Sequence, residues 1–467
     1  MSLVQSRREF LKIAATLGAG ALPATWLAGC GPKATPAPAE KPAEQPAAEK
    51  PATAAAPAAA AKVELRYMDR GDAVGEFMRS ASRLYEERNP NIVVKNESTG
   101  WGDLVTKVPT YIAAGTMADL AYQHNTFMLP EMAKKGAWLD LTPVAEKDGH
   151  DFSIYFPWAV DSLRQGPNGE LVAMPMGIHN GENEIMWNVE MLADFGVGEP
   201  RDDMTLDEFV ELLIKIQEKI PEPGYAAAFS DEFYGMEAHS RSFGGYIISQ
   251  DRTQVGFDLP ETIAAHQWYI DLIHTHKVVP FRDAILADKK QMFYSQQVAV
   301  YSNCGANAWV GFDEATEGKF TLGHCMWPHG GGGKVGTTPS VDGTVVYGKT
   351  KYPDESWGLA KLLSSAEVAK STALDTHMTP GAVIEMWNDP EVIAANPCYG
   401  NAAKFWATLT PEDYAALPVP ANTRRAEFWD YYTNEWKAMR DADVPFDQAA
   451  VDKLQASLKE IMDKPLP

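Results

Sequence analysis

The sequence predicts an α/β protein of two domains. Three observations carry this. Strands and helices alternate from Val63 onward, the alternation restarts beyond Gly177, and residues 62–467 exceed the roughly 250–300 residues at which a single core stops growing.

Val63–Met68 alternates as a strand, and Ala73–Arg88 repeats Val74, Phe77, Met78, Ala81, Leu84 and Tyr85 at helical spacing. Ile92–Lys95 is a second strand, Asp103–Ala114 a helix closed by Gly115, and Asp119–Tyr122 a short third strand. A helix over 126–135 ends at Gly136, and the turn Gly166–Glu170 leads into Leu171–Met174. This alternation predicts a parallel sheet covered on both faces. Glu184–Trp187 then reads as a strand and Val189–Phe195 as a helix. Thr205 and Glu208 form a capping box opening a helix over 206–219. Strands are expected at Tyr225–Phe229, Val298–Ser302, Phe320–Trp327 and Thr344–Tyr347. Helices are expected over 260–276, 284–294, 354–364, 366–375, 425–439 and 446–462.

Ahead of this body stands Ser6–Cys30. It holds Arg7-Arg8, then Phe10-Leu11-Lys12, an apolar run of about 14 residues, and Leu27-Ala28-Gly29-Cys30. The run is too short to cross a membrane, which takes roughly 20 residues. The order matches a twin-arginine export signal ending in a lipobox, which predicts lipidation at Cys30 and an extracytoplasmic, membrane-anchored protein. Pro32–Ala61 contains 7 Pro and 14 Ala in 30 residues and cannot bury enough surface to order itself, so residues 31–61 are expected to be a disordered tether.

The formal net charge is −22, which repels phosphate backbones, so no nucleic-acid partner is expected. Three cysteines follow Cys30; Cys304 and Cys325 lie near two predicted strands and could bridge. No Gly-x-Ser-x-Gly elbow, phosphate-binding loop or His-Glu-x-x-His occurs, so the chain is not expected to be an enzyme. His324, Cys325 and His329 are the best metal set by ligand type, but their strand and loop placement favours a structural role. No metal and no cofactor are expected.

Ordered landmarks then carry a resemblance. They are Gly115-Thr-Met-Ala-Asp119-Leu (with Ala118 where a proline is usual), Lys135-Gly-Ala-Trp-Leu-Asp-Leu-Thr142, Gly169-Glu-Leu-Val-Ala-Met-Pro175, and Met186-Trp-Asn188 with Phe195-Gly196. Met292-Phe293 with Gln297-Val-Ala-Val300, and Glu355-Ser-Trp-Gly-Leu, complete the series. Together, from Val63 to Leu458, they resemble family 1 solute-binding proteins of ATP-binding-cassette importers, the maltose-type sugar binders. The resemblance implies a two-lobed periplasmic-binding-protein-like fold of type II, with a ligand cleft between lobes joined by a multi-segment hinge. One lobe would comprise 62–178 plus 335–385, the other 179–334 plus 386–467. It further implies capture of a sugar or oligosaccharide, permease subunits as partners, and a monomer. Another polar solute (a polyol phosphate, peptide, polyamine or metal complex) and an exported glycan hydrolase stay open.

Ligands of open α/β sheets sit beyond the carboxyl ends of strands. The loops there hold Asp69 and Arg70, Trp101, His124 and Asn125, then His179, Asn180 and Glu182 at the first crossover. Asn307 and Trp309 follow the Val298 strand, and Asp342 lies near the return to the first lobe. Indole faces stack on pyranose C–H surfaces while amides, carboxylates and Arg pair with hydroxyls. Each residue also has a structural reading. Trp101 and Trp309 could pack in cores, Asp69-Arg70 could be a surface ion pair, His124-Asn125 could cap a helix, His179, Asn180 and Glu182 could form an interlobe network, and Asp342 could cap a turn with Gly343.

Overall fold

The computed structural model describes residues 62–72, 74–179, 184–282, 289–304, 309–375, 379–406 and 417–467. Cys30, the tether, Asn180, Glu182 and Asn307 lie outside the described residues, and Trp309 is described by its backbone alone.

In chain order the elements are β1 (Val63–Met68), α1 (Val74–Arg88), β2 (Ile92–Asn96), α2 (Trp101–Ala114), β3 (Leu120–His124), α3 (Leu129–Lys134), α4 (Thr142–Asp148), α5 (Pro157–Ser162) and β4 (Ala173–His179). Next come β5 (Glu184–Asn188), α6 (Val189–Phe195), α7 (Leu206–Gln217), β6 (Tyr225–Ala228), α8 (Phe233–Ser242), α9 (Pro260–His274), α10 (Lys289–Tyr294), β7 (Val298–Cys304), α11 (Trp309–Thr316) and β8 (Leu322–Met326). The remainder is β9 (Ser340–Val346), α12 (Pro353–Leu363), α13 (Ala366–Asp375), α14 (Pro390–Ala395), α15 (Pro397–Trp406), α16 (Arg425–Arg440) and α17 (Gln448–Asp463).

The strands form two sheets, one in the order β2-β1-β3-β9-β4 and the other β6-β7-β5-β8, giving a two-lobed α/β fold. The expected all-parallel sheet is corrected. β1, β2 and β3 are parallel, but β9 runs antiparallel between β3 and β4. Every residue of β3 and β9 is buried, as strands covered on both faces must be. Pro175 is tolerated because β4 is an edge strand with a register shift between Pro175 and Gly177. Gly343 is confined by its neighbours, since a Cβ there would stand 3.0 Å from that of Ala173.

Where polarity alternates at helical spacing, sequence and structure agree closely. α7 carries the Thr205/Glu208 capping box and buries Leu206, Phe209, Leu212, Leu213 and Ile216. α2 begins two residues earlier than expected, with Trp101 as its first residue, and closes on Gly115 at φ 67°. α8 has no counterpart in the sequence reading. It is buried along nearly its whole length, and its Glu237 and Arg241 pair inside the protein at 2.8 Å, so no amphipathic stripe marks it. Cys325 is a free, buried thiol, so no Cys304–Cys325 bridge forms. Among the described residues no helix is long and apolar enough to cross a membrane.

Candidate functional site

Inserting β9 antiparallel beside β3 gathers one end of four strands. His124 at the end of β3 stands opposite Asp342 of β9, which in turn stands opposite Gly177 of β4. Arg70 follows β1, and His179 ends β4. These positions lie far apart in the chain and meet because the sheet orders them so.

Asp342 is the hub. It is buried, accepts a hydrogen bond from the Tyr122 hydroxyl at 2.5 Å, and pairs with His179 Nε2 at 2.8 Å. Burial raises its carboxyl, but His179 and the two hydrogen bonds prevail and hold it at about 2. The same burial and the Asp342 charge push the Tyr122 phenol well above its ordinary value. Arg70 reaches the Tyr122 hydroxyl at 3.5 Å, lies 4.9 Å from the Trp101 ring centroid, and is neutralised by Asp72.

His124 accepts at Nδ1 from the Thr126 amide at 3.2 Å, which places its ring proton on Nε2. Burial lowers it to about 3 despite the attraction of Asp342, so the imidazole is neutral at working pH. Trp101 meets the His124 and Phe127 rings edge-on at 5.5 and 5.4 Å. Phe127 then meets Trp429 of α16 at 5.6 Å, and Thr126 Oγ1 contacts the Tyr234 hydroxyl of α8. Arg425 lies 4.3 Å from the Phe127 centroid and 4.7 Å from that of Trp429. A continuous wall of rings therefore runs from the end of β3 to α16.

Of the sequence candidates, Arg70, Trp101, His124, His179 and Asp342 converge here. Asp69 and Asn125 do not. Asp69 is wholly buried, accepts from Asn96 at 2.9 Å and faces Arg79 at 3.6 Å, so it is no surface partner of Arg70. Asn125 Oδ1 accepts the Val341 amide at 3.1 Å and ties β3 to β9. The helix-cap reading of His124 holds only as a turn, its ring accepting from the residue two places on. Sequence reasoning missed Tyr122, Phe127, Tyr234, Arg425 and Trp429. Arg425 and Trp429 fall within the helix expected over 425–439, and no local pattern marked either as part of a site. His324 is committed to Glu184 at 2.9 Å and His329 to the backbone of Asp202 and Gly333. Among the described residues no group of three or more His, Cys, Asp or Glu is placed to hold a metal.

The family described as bacterial extracellular solute-binding protein matches residues 66–370. A Streptococcus pneumoniae protein described as a carbohydrate ABC transporter substrate-binding protein is 27% identical over 157 residues, which is 33% of this chain and 30% of that one. A Deinococcus radiodurans protein described as a probable ABC transporter-binding protein is 24% identical over 58% of this chain and 66% of its own. The matches thus span less than two thirds of either relative. An ABC substrate-binding protein of Listeria monocytogenes, solved with cycloalternan, superposes at a TM-score of 0.72 over 86% of this chain and 99% of its own at 20% identity, which shows a shared fold.

Proposed function

The chain belongs to the bacterial extracellular solute-binding protein family, and on that premise we propose that it captures a sugar or oligosaccharide outside the cytoplasm and delivers it to an ATP-binding-cassette importer. The observation that carries this is the ring wall Trp101–Phe127–Trp429 beside Asp342, His124 and Arg70. Rings offer flat apolar faces to sugar C–H surfaces, while a carboxylate, a neutral imidazole and a guanidinium take hydroxyls in fixed geometry. The cycloalternan bound by the Listeria protein and the carbohydrate description of the Streptococcus relative favour the same class.

The lobes meet through Thr126–Tyr234 and Phe127–Trp429, so a solute bridging them binds the closed form better and shifts the population toward it. In this reading the first lobe comprises 62–178 plus 335–385 and the second 179–334 plus 386–467. The monomeric protein is tethered through lipidated Cys30 and residues 31–61, and permease subunits recognise the closed shape. No turnover is expected of it.

A thermal-shift panel of mono- and oligosaccharides tests the reading, since binding to the folded form alone raises stability as RT ln(1 + [L]/Kd). At least one carbohydrate should raise the melting temperature. A shift by amino acids or metal ions with none by any saccharide overturns the assignment.

A further inference from the structure

Asp231 lies in the short connection between β6 and α8, immediately before Glu232, the residue that caps the start of the helix. Its side chain is largely buried, and each carboxylate oxygen meets a cation. Oδ1 pairs with Lys289 Nζ at 2.7 Å, and Oδ2 accepts from Arg440 Nη1. The Asp231 backbone carbonyl accepts from Trp436 Nε1 at 3.1 Å. Lys289, the first residue of α10, also donates to the Phe229 carbonyl at 2.7 Å, where the Tyr269 hydroxyl of α9 donates at 3.2 Å. Arg440 turns its Nε to Asp441 at 2.7 Å. One residue thus ties the start of α8 to both α10 and α16. Burial opposes a charge on Asp231, but Lys289 and Arg440 outweigh it and hold the carboxyl below its ordinary value.

Two of the helices that Asp231 joins carry rings of the candidate site. Tyr234 of α8 meets Trp429 of α16 edge-on at 4.7 Å, and Phe233 stacks on Trp429 at 4.8 Å. Phe233, Tyr234, Trp429 and Thr433 line one cavity of about 370 Å³, and Asp231 does not line it. Trp429, Trp436 and Arg440 recur at helical spacing and share one face of α16. A rotation of α16 that breaks the bonds of Trp436 and Arg440 to Asp231 therefore turns Trp429 as well. Apolar packing of Phe233 on Phe428 and Tyr432 holds the two helices together, but it has no direction and does not fix how they are turned. Charge-assisted hydrogen bonds do fix it.

From this geometry we infer that Asp231 is a positioning residue of the solute site: held between Lys289 and Arg440, it sets the first turn of α8 against α16 and so fixes Tyr234 and Trp429 for stacking on a saccharide ring. A buried ion pair adds little net stability over apolar packing of the same volume, so what this one supplies is the register of the two helices. Rings already in place spare the solute the cost of ordering them, and that saving appears as affinity. The inference rests on the carbohydrate reading for what stacks on the rings, while the placing of the rings is readable without any ligand.

Asp231→Asn keeps the shape and the backbone bond to Trp436 while removing the charge that holds both cations. Calorimetry of the full chain with maltose, cellobiose and xylobiose reads affinity, and ligand-free crystal structures of variant and parent read the Tyr234–Trp429 separation. The variant should bind the saccharide that the parent prefers about tenfold more weakly. Its ring separation should change by about 0.5 Å or more, the tolerance within which a binding constellation must be held. Asp231→Asn combined with Lys289→Met removes a cation together with the anion, so its melting temperature should return toward that of the parent while affinity stays low. Affinity that recovers in step with the melting temperature means a merely structural role and overturns the inference. So does an Asp231→Asn protein with the parent's Kd and ring separation. Should neither variant fold, Lys289→Gln, which keeps the Asp231–Arg440 pair, is judged on the same two readings. A parent that binds none of the three saccharides counts against the carbohydrate reading, and the ring separation then decides on Asp231 alone.

Discussion

Asp342 and His179 meet at 2.8 Å through side chains that start two residue pairs apart along the ladder, because Asp342 pairs with Gly177 and His179 with Ser340. The register shift in β4 and the small Gly177 leave room for the ring to lie back over the carboxylate. The contact locks the edge strand to the inserted strand at the mouth of the cleft.

Asp342→Asn removes the charge and keeps the shape. Ligand affinity should fall by about tenfold or more, and stability at neutral pH by roughly 2 kcal/mol, the equivalent of a carboxyl lowered from 3.8 to about 2. Because the folded value is the lower one, this stabilisation is complete above about pH 4 and is lost as pH falls toward 2. Chemical denaturation of both proteins at pH 7 and pH 3 measures it. An equal difference at the two values contradicts the assignment.

Acid should weaken the fold earlier through histidines. Burial lowers His124 and His266 to about 3 and His239 to about 4, all from 6.5. His266 is satisfied as a neutral ring between the Thr262 carbonyl and the Tyr432 hydroxyl, each at 2.7 Å. Only the unfolded chain binds these protons between about pH 6.5 and 4, so stability declines as pH falls through that window. Urea midpoints at pH 7, 6 and 5 should drop in sequence; a flat series rejects it.

Trp101→Ala and Trp429→Ala should each weaken ligand binding by about 1–3 kcal/mol, the range of truncated interface anchors. Calorimetry with the best ligand of the saccharide panel reads this directly. Unchanged affinity in both variants would remove the ring wall from the site.

Tyr234→Phe deletes the hydroxyl that meets Thr126, which the proposed division puts in the other lobe. The closed form loses one contact, so affinity should fall several-fold and small-angle scattering of the ligand-free protein should show a larger radius of gyration. An unaltered radius and affinity would mean that the contact does not bias closure.

Cys30→Ala should release the protein from membranes without altering ligand affinity, as expected for a lipid anchor outside the folded body. Fractionation followed by calorimetry checks both halves. Continued membrane retention would overturn the anchor.

The periodic elements were legible. The apolar positions of α7 recur at helical spacing and the buried face follows them, with the cap box at its start. That Arg70, Trp101, His124, His179 and Asp342 lie at strand ends was legible too, because strand ends are marked by the change from apolar runs to polar residues. Phe127, Tyr234, Arg425 and Trp429 were not, since each sits in a stretch that reads as ordinary surface or core until its partner from the other lobe arrives.

By itself the sequence determined an α/β chain with two sets of strands, the strand ends bearing polar and aromatic residues, and the family. These follow from local periodicity and from ordered motifs. Tertiary structure alone decided that β9 enters between β3 and β4. That insertion brings Tyr122 and Asp342 together across 220 residues, and the packing of α16 separately sets Arg425 over Phe127. The physical reason is that strand pairing and interlobe contact depend on complementary partners distant in sequence, for which no local pattern exists. The buried ion pair of α8 shows the same limit from the other side, since its charges are balanced within the core and leave no amphipathic trace.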